Sequence, residues 1–323
     1  MPPITSHQIS AHGLSVSVTN YGASLHDLRL TDHNQPLILG FSDPSDYAHH
    51  HSHMGATAGR YANRISPAEI TIDGKHHLLD ANENGTTILH GGAQGCGTRL
   101  WQLVHHDKTS ITFRLIEEDG HMGFPGKVEI EARYEVTAHQ TLTISYHATS
   151  TAPTFMSLAH HSYFRLDNEA DISAHELQIM AEQYLPVDDA NLPTGEIAAV
   201  ANTAFDFRQQ TAIGPRAFDH NFCLSSTTPS AIRPVARLFS PHSGIEMRIA
   251  SDQPGLQFYT AHHLDENAPN HHGRPYRGFD GVCLEPQNWP NSPHMPHFPS
   301  SLLPKGAHYQ QTLSLAFAHK GAM

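Results

Sequence analysis

Cysteine is scarce and poorly placed for a structural role. The three thiols, Cys96, Cys223 and Cys283, lie far apart, are odd in number and form no Cys-x-x-Cys pair. That pattern argues against a disulfide framework or a zinc ribbon. Cations are short as well: 19 Lys and Arg stand against 31 Asp and Glu, a formal net charge of -12 at pH 7. Such a chain has no electrostatic reason to bind nucleic acid or an anionic membrane surface. No apolar run approaches the ~20 residues that cross a bilayer as a helix. The opening "MPPITSHQIS" has neither a basic end nor an apolar segment, so no secretory leader is expected there and a cytoplasmic location is. Long helical periodicity is missing. So are the GxSxG elbow that would make Ser162 a nucleophile and the GxxxxGK[ST] phosphate loop. Histidine, by contrast, is abundant, with 29 imidazoles. Where exposed, most of them would be charged near pH 5.

The dominant period is two. "LSVSV" places Leu14, Val16 and Val18 on one face, and "SITFRLI" does the same with Ile111, Phe113 and Leu115. "TLTISYHA" alternates Leu142, Ile144 and Tyr146, and "SLAF" follows with Leu315 and Phe317. Alternation of this kind predicts half-buried strands. Asp73-Gly74 in "ITIDGKHHLL" suits the positive φ angles of a type I′ hairpin turn. Ser243-Gly244 marks a second turn ahead of Ile245, Met247 and Ile249. Gly and Pro are spread along the chain without forming a linker. The expected architecture is all-β, one large antiparallel β-sandwich domain spanning residues 1–323. Its long loops, 83–99, 117–127 and 265–280, are where a site would be built.

Four strand-like stretches carry polar residues. In "LAHHSYF" the period sends His160 and His161 to opposite faces, with Tyr163 on the His161 side. In "FDHNFCL", Asp219 and Asn221 oppose Phe218, His220 and Phe222. In "GLQFYTA", Gln257 and Tyr259 oppose Leu256 and Phe258. In "GVCLEPQNWP", Cys283 and Glu285 share the face opposite Val282 and Leu284. Glu285, followed by Pro286, reads as a carboxylate where a strand ends at a sheet rim. Partial desolvation there would raise its pKa and suit it to act as a base. Spacing alone favours the blander alternative, an edge glutamate paired with an arginine, because structural ion pairs outnumber catalytic ones. "GRYANRI" and "LHGG" gather Arg60, Asn63, Arg64 and His90 among glycines, a donor-rich set suited to hydroxyl groups. The alternative there is an arginine that braces loops. The run "HHHSH" (49–53) has no HExxH or Cys companion. It reads as an exposed loop, and no metal is expected.

Taken together these segments resemble the aldose 1-epimerase (galactose mutarotase) family. The blocks that carry the resemblance are "GRYANRI", "LHGG", "DGHMGFPG", "HSYF", "YLPVDDANLPTGE", "FDHNF", "GLQFYT" and "LEPQNWPNSPH", in that order. The resemblance implies a galactose mutarotase-like β-supersandwich. It would bind a free hexose in an open cleft, without cofactor or metal, as a monomer or homodimer. It implies an isomerase that interconverts the α and β anomers of aldoses such as galactose and glucose. Glu285 would be the general base and His161 the general acid. His90, Asn63, Arg64, Asp219 and Gln257, with Tyr163 beside them, would hold the sugar. Neighbouring carboxylates would raise the His161 pKa. His160 stands where the family usually has asparagine, and Pro286 where it commonly has threonine, which removes a backbone donor beside the base. Two rivals are weighed. A hexose 6-phosphate epimerase of the same fold would need a cationic cluster, and a sugar binder without catalysis would not need both acid and base.

Overall fold

The computed structural model of the chain describes residues 3–50, 52–229 and 231–319. Two large antiparallel sheets dominate. The first has nine strands. Its five central neighbours run Arg233–Phe239, Ile245–Ser251, His308–His319, Thr141–Ser150 and Val128–Thr137, flanked by Ser110–Glu117 and Gln102–His106 on one side and by Glu176–Ile179 and Thr211–Ala212 on the other. The second has six strands in the order Tyr163–Phe164, Val282–Gln287, Gly255–Tyr259, Asp219–Cys223, Gln183–Tyr184 and Ala198–Ala199. A three-stranded meander, Ser6–Ala11, Leu14–Thr19 and Leu25–Leu30, completes the larger elements.

The alternating residues place the core. Leu142, Ile144 and Tyr146 from the nine-stranded sheet share one buried cluster with Phe222, Leu256, Phe258, Val282 and Leu284 from the six-stranded sheet. The meander adds Leu14, Val16 and Val18 to that cluster. The two sheets therefore pack face to face as a sandwich, with apolar side chains between them. The hairpin at Asp73-Gly74 joins Glu69–Ile72 to Lys75–Leu78, with φ of 51° and 75° at the two turn residues. These are the left-handed values a type I′ turn demands. Helix is confined, among the described residues, to short 3-10 turns. Among the described residues no helix is long and apolar enough to cross a membrane.

Two local expectations are corrected. Glu285 does not end a strand at a rim. It lies inside Val282–Gln287, second in the six-stranded sheet, with Pro286 in register opposite Leu256. The strand tolerates that proline because the other flanking strand, Tyr163–Phe164, pairs only with Cys283 and Val282, so no ladder bond at position 286 is lost on that side. "LAHHSYF" is likewise not one strand. Ala159–His160 pairs with Thr57–Ala58, and Tyr163–Phe164 pairs with the Glu285 strand. His161 sits in the short break between them.

Candidate active site

The inner face of the six-stranded sheet is apolar, and its outer face is built from the alternate residues. Register sets these in rows across the strands. Asn221 lies opposite Gln257, and Gln257 opposite Glu285. One row along, Asp219 faces Tyr259, Tyr259 faces Cys283, and Cys283 faces Tyr163. Residues far apart in sequence are thus brought side by side by strand pairing alone.

A cavity of about 410 Å³ opens over this face, and it is lined by all eight residues singled out from the sequence: Glu285, His161, His90, Asn63, Arg64, Asp219, Gln257 and Tyr163. Glu285 is 2% exposed. Its Oε1 lies 3.7 Å from His161 Nε2, and among the described residues no arginine reaches its carboxylate. The edge-glutamate alternative therefore fails on its own terms, since the arginine it requires is absent. The backbone of His161 is pinned on both sides: its N–H donates to the Ala56 carbonyl, and its carbonyl accepts from Gly55 N–H, each at 2.9 Å. Its Nδ1 lies 3.7 Å from the Cys283 sulfur.

Burial governs the protons. Loss of water pushes the His161 imidazole down to about 3, with the nearby His53 adding to the shift. The same burial, helped by the charge of Asp219, lifts Glu285 well above the ordinary carboxylate range. The sequence-based expectation that carboxylates would raise His161 is therefore overturned, because desolvation is the larger effect. The directions of the two shifts favour a neutral imidazole and a proton on Glu285.

Cavity-lining donors and acceptors surround the pair. The Asn63 backbone N–H donates to His90 Nδ1 at 3.1 Å, which places the imidazole hydrogen on Nε2. Asn63 and His90 both hold left-handed backbone, with φ of 62° and 51°. Gly91 follows His90 with φ of 82°, and a Cβ there would sit 2.0 Å from the Gly59 carbonyl oxygen. Only glycine lets the His-Gly-Gly turn close so tightly on residue 59. Arg64 Nε and Nη2 grip Glu83 at 2.7 and 2.9 Å, while Nη1 stands 4.0 Å from Asp219. Gln257 Nε2 donates to Asp219 Oδ1 at 2.6 Å, and the Tyr163 hydroxyl donates to the Ser52 carbonyl at 2.8 Å.

Other candidates separate from the site. Arg60 is the brace: it is buried, paired with Glu117 at 2.9 Å, and donates to the carbonyls of Pro125 and Gly126. His160 turns away into the core, with Nε2 2.8 Å from Ser162 Oγ and its ring against Tyr134. The histidine run is not simply an exposed loop. His50 pairs with Glu266 at 2.8 Å, and His53 lines the cavity with its ring centroid 4.8 Å from that of His90. His51 lies outside the described residues. Sequence reasoning also passed over Tyr259 and Asn191, which line the cavity. For Tyr259 the signal existed, because alternation puts it on the Gln257 face. For His53 and Asn191 none did.

Among the described residues one trio has metal-binding geometry: donor atoms of His161, Cys283 and Glu285 lie within 4.8 Å of one another. Burial, together with the charges of Glu285 and Asp219, holds the Cys283 thiol well above its usual range. A thiolate is thus disfavoured, and the chemistry of the trio is that of a proton-carrying pair beside a neutral thiol.

Comparisons with known proteins show the family. The family model described as Aldose 1-epimerase matches residues 6–316. The galactose mutarotase of Sus scrofa is 35% identical, over 98% of this chain and 94% of that protein. The aldose 1-epimerase of Escherichia coli (strain K12) is 33% identical, over 89% and 86% respectively. Among solved structures, an aldose epimerase homologue from C. elegans superposes with a TM-score of 0.91 at 32% identity, covering 98% of this chain and 99% of that one.

Proposed function

The chain belongs to the aldose 1-epimerase family, and we propose that it interconverts the α and β anomers of a free hexose through the Glu285–His161 pair. The carboxylate of Glu285 takes the proton of the C1 hydroxyl, and the His161 imidazolium gives one to the ring oxygen. The bond between C1 and the ring oxygen breaks, the aldehyde turns about C1–C2, and the ring closes on the other face with the two roles exchanged. His90, Asn63, Arg64, Asp219, Gln257 and Tyr163 hold the hydroxyls.

The observation that carries this reading is a buried glutamate with no arginine and a histidine nitrogen 3.7 Å away, both facing one open cavity. The single proton must first pass from Glu285 to His161, because burial favours it on Glu285 in the empty site. Ring opening leaves the proton on Glu285 and a neutral His161, which is the arrangement that burial favours in the sugar-free site. The closed ring requires the opposite arrangement. The environment therefore pulls toward the opened sugar, whose rotation is the productive event.

The cavity is a poor match for a phosphorylated sugar. Among the described residues its one arginine is gripped by Glu83, and Asp219, Asp265 and Glu266 line the walls. A phosphate would meet repulsion there. A cytoplasmic location goes with this reading, and cell fractionation checks it. Polarimetry of freshly dissolved α-galactose and α-glucose tests the activity. The protein should speed the decay of rotation with both sugars. Tight sugar binding without acceleration would instead support a pure binder.

A further inference from the structure

The row that holds Glu285 and Gln257 continues to a third polar residue that the mechanism does not use. Asn221 is 2% exposed, yet neither its Nδ2 nor its Oδ1 has a hydrogen-bond partner. Gln257, 4% exposed, spends its Nε2 on Asp219 and leaves Oε1 unpartnered. Unsatisfied buried amides are costly and rare in native proteins. Both border a small recess of about 10 Å³, which shares Asn63, Asn191, Asp219 and Gln257 with the main cavity. That volume is about one probe sphere, enough for a single water or hydroxyl group. Gly255 leaves room for the Asn221 side chain beside it: a Cβ there would lie 2.4 Å from Asn221 Oδ1.

From these observations we infer that Asn221 and the free oxygen of Gln257 form a subsite for one ring hydroxyl of the aldose, on the side of the ring away from C1. Resting on the proposed function, the argument about which side is geometric. C1 reacts at Glu285, and adjacent strands are ~4.8 Å apart, so the two steps from Glu285 to Asn221 cover roughly 10 Å. A pyranose laid along that row puts its C3 or C4 hydroxyl at the recess, while the C2 hydroxyl stays near the reacting pair. An amide with a free donor and a free acceptor satisfies a hydroxyl in both directions. A sugar lacking that hydroxyl would leave the amide unpaired, which is where strong discrimination comes from.

The test is equilibrium binding of galactose and its 2-, 3- and 4-deoxy analogues to the full chain, alongside polarimetry. For the unmodified protein, either the 3-deoxy or the 4-deoxy sugar should bind about tenfold or more weaker than the parent. In Asn221→Leu that penalty should shrink to within about twofold, while the 2-deoxy ratio stays as it was. Equal binding of the 3-deoxy, 4-deoxy and parent sugars by the unmodified protein would overturn the subsite, whether or not the variant folds. So would an undiminished penalty in a folded Asn221→Leu protein, the result expected if the recess holds only a structural water. A deoxy penalty that Asn221→Leu removes, in a protein that does not accelerate mutarotation, would uphold the subsite and sink the proposed function. Failure of every sugar to bind would sink both.

Discussion

The nine-stranded and six-stranded sheets obey the same alternation for different reasons. In Val128–Thr137 every second residue is buried and the others are at least partly open to water. In Val282–Gln287 every residue is buried, yet apolar Val282 and Leu284 still alternate with polar Cys283, Glu285 and Gln287. On the first sheet the polar face is polar because solvent covers it. On the second it is polar although solvent is largely excluded, at the desolvation cost such groups carry. A buried strand that keeps polar residues on one face is maintaining a site, and the same pattern on a wetted strand means only a surface.

Substitutions can break this contrast. Glu285→Gln should lower mutarotation about 10²- to 10⁴-fold, the usual worth of a positioned acid or base. It should keep galactose binding detectable and leave thermal stability intact, as polarimetry, calorimetry and a melt would show. His161→Ala should do the same, and full activity in either variant removes the assignment. On the other sheet, Ile144→Ala deletes a side chain buried in the shared core. It should cost about 2–5 kcal/mol of unfolding free energy while the folded fraction keeps its KM.

A change of pH probes burial itself. His160 is held down to about 3 by desolvation, and His26 and His175 to about 4. Unfolded, each would titrate near ~6.5. The unfolded chain thus binds more protons below that value, so stability is full above pH ~6.5 and falls as pH drops toward the folded values. For His160 alone the loss at pH 5 should be ~2 kcal/mol. The gap between urea midpoints at pH 7.5 and pH 5 should narrow in His160→Asn, and an unchanged gap would show the imidazole is not held neutral. The smallest effect belongs to the wetted face. Arg114→Ala removes exposed pairs to Glu129 and Glu131 and should leave the melting temperature within replicate scatter.

Much of this was legible in the sequence because strand alternation and turn chemistry are local. Asp73-Gly74 marks its hairpin without help from the rest of the chain. All eight expected site residues line one cavity, and His160 and His161 do part, although the single strand on which the period of two parted them is broken at His161. The depth of Glu285 was not legible. It depends on strands at residues 163–164 and 255–259 flanking its own, which nothing near position 285 encodes. The downward shift of His161 escaped for the same reason, because a group's desolvation is decided by residues remote in sequence. His53 was hidden by its neighbours: in so histidine-rich a stretch, residue type carries little information.

The bond from the Asn63 backbone to His90 has a consequence for the ligand. With Nδ1 occupied by an N–H donor, the neutral ring offers only a hydrogen to the cavity and has no lone pair to spare. Whatever sugar oxygen meets it must present electrons and turn its own hydrogen elsewhere. A fluorine has electrons to present and no hydrogen to turn. On the proposed function, deoxyfluoro sugars should therefore separate the walls of the cavity: fluorine should be tolerated at a position that meets His90 and rejected at one that meets the acceptor Asp219.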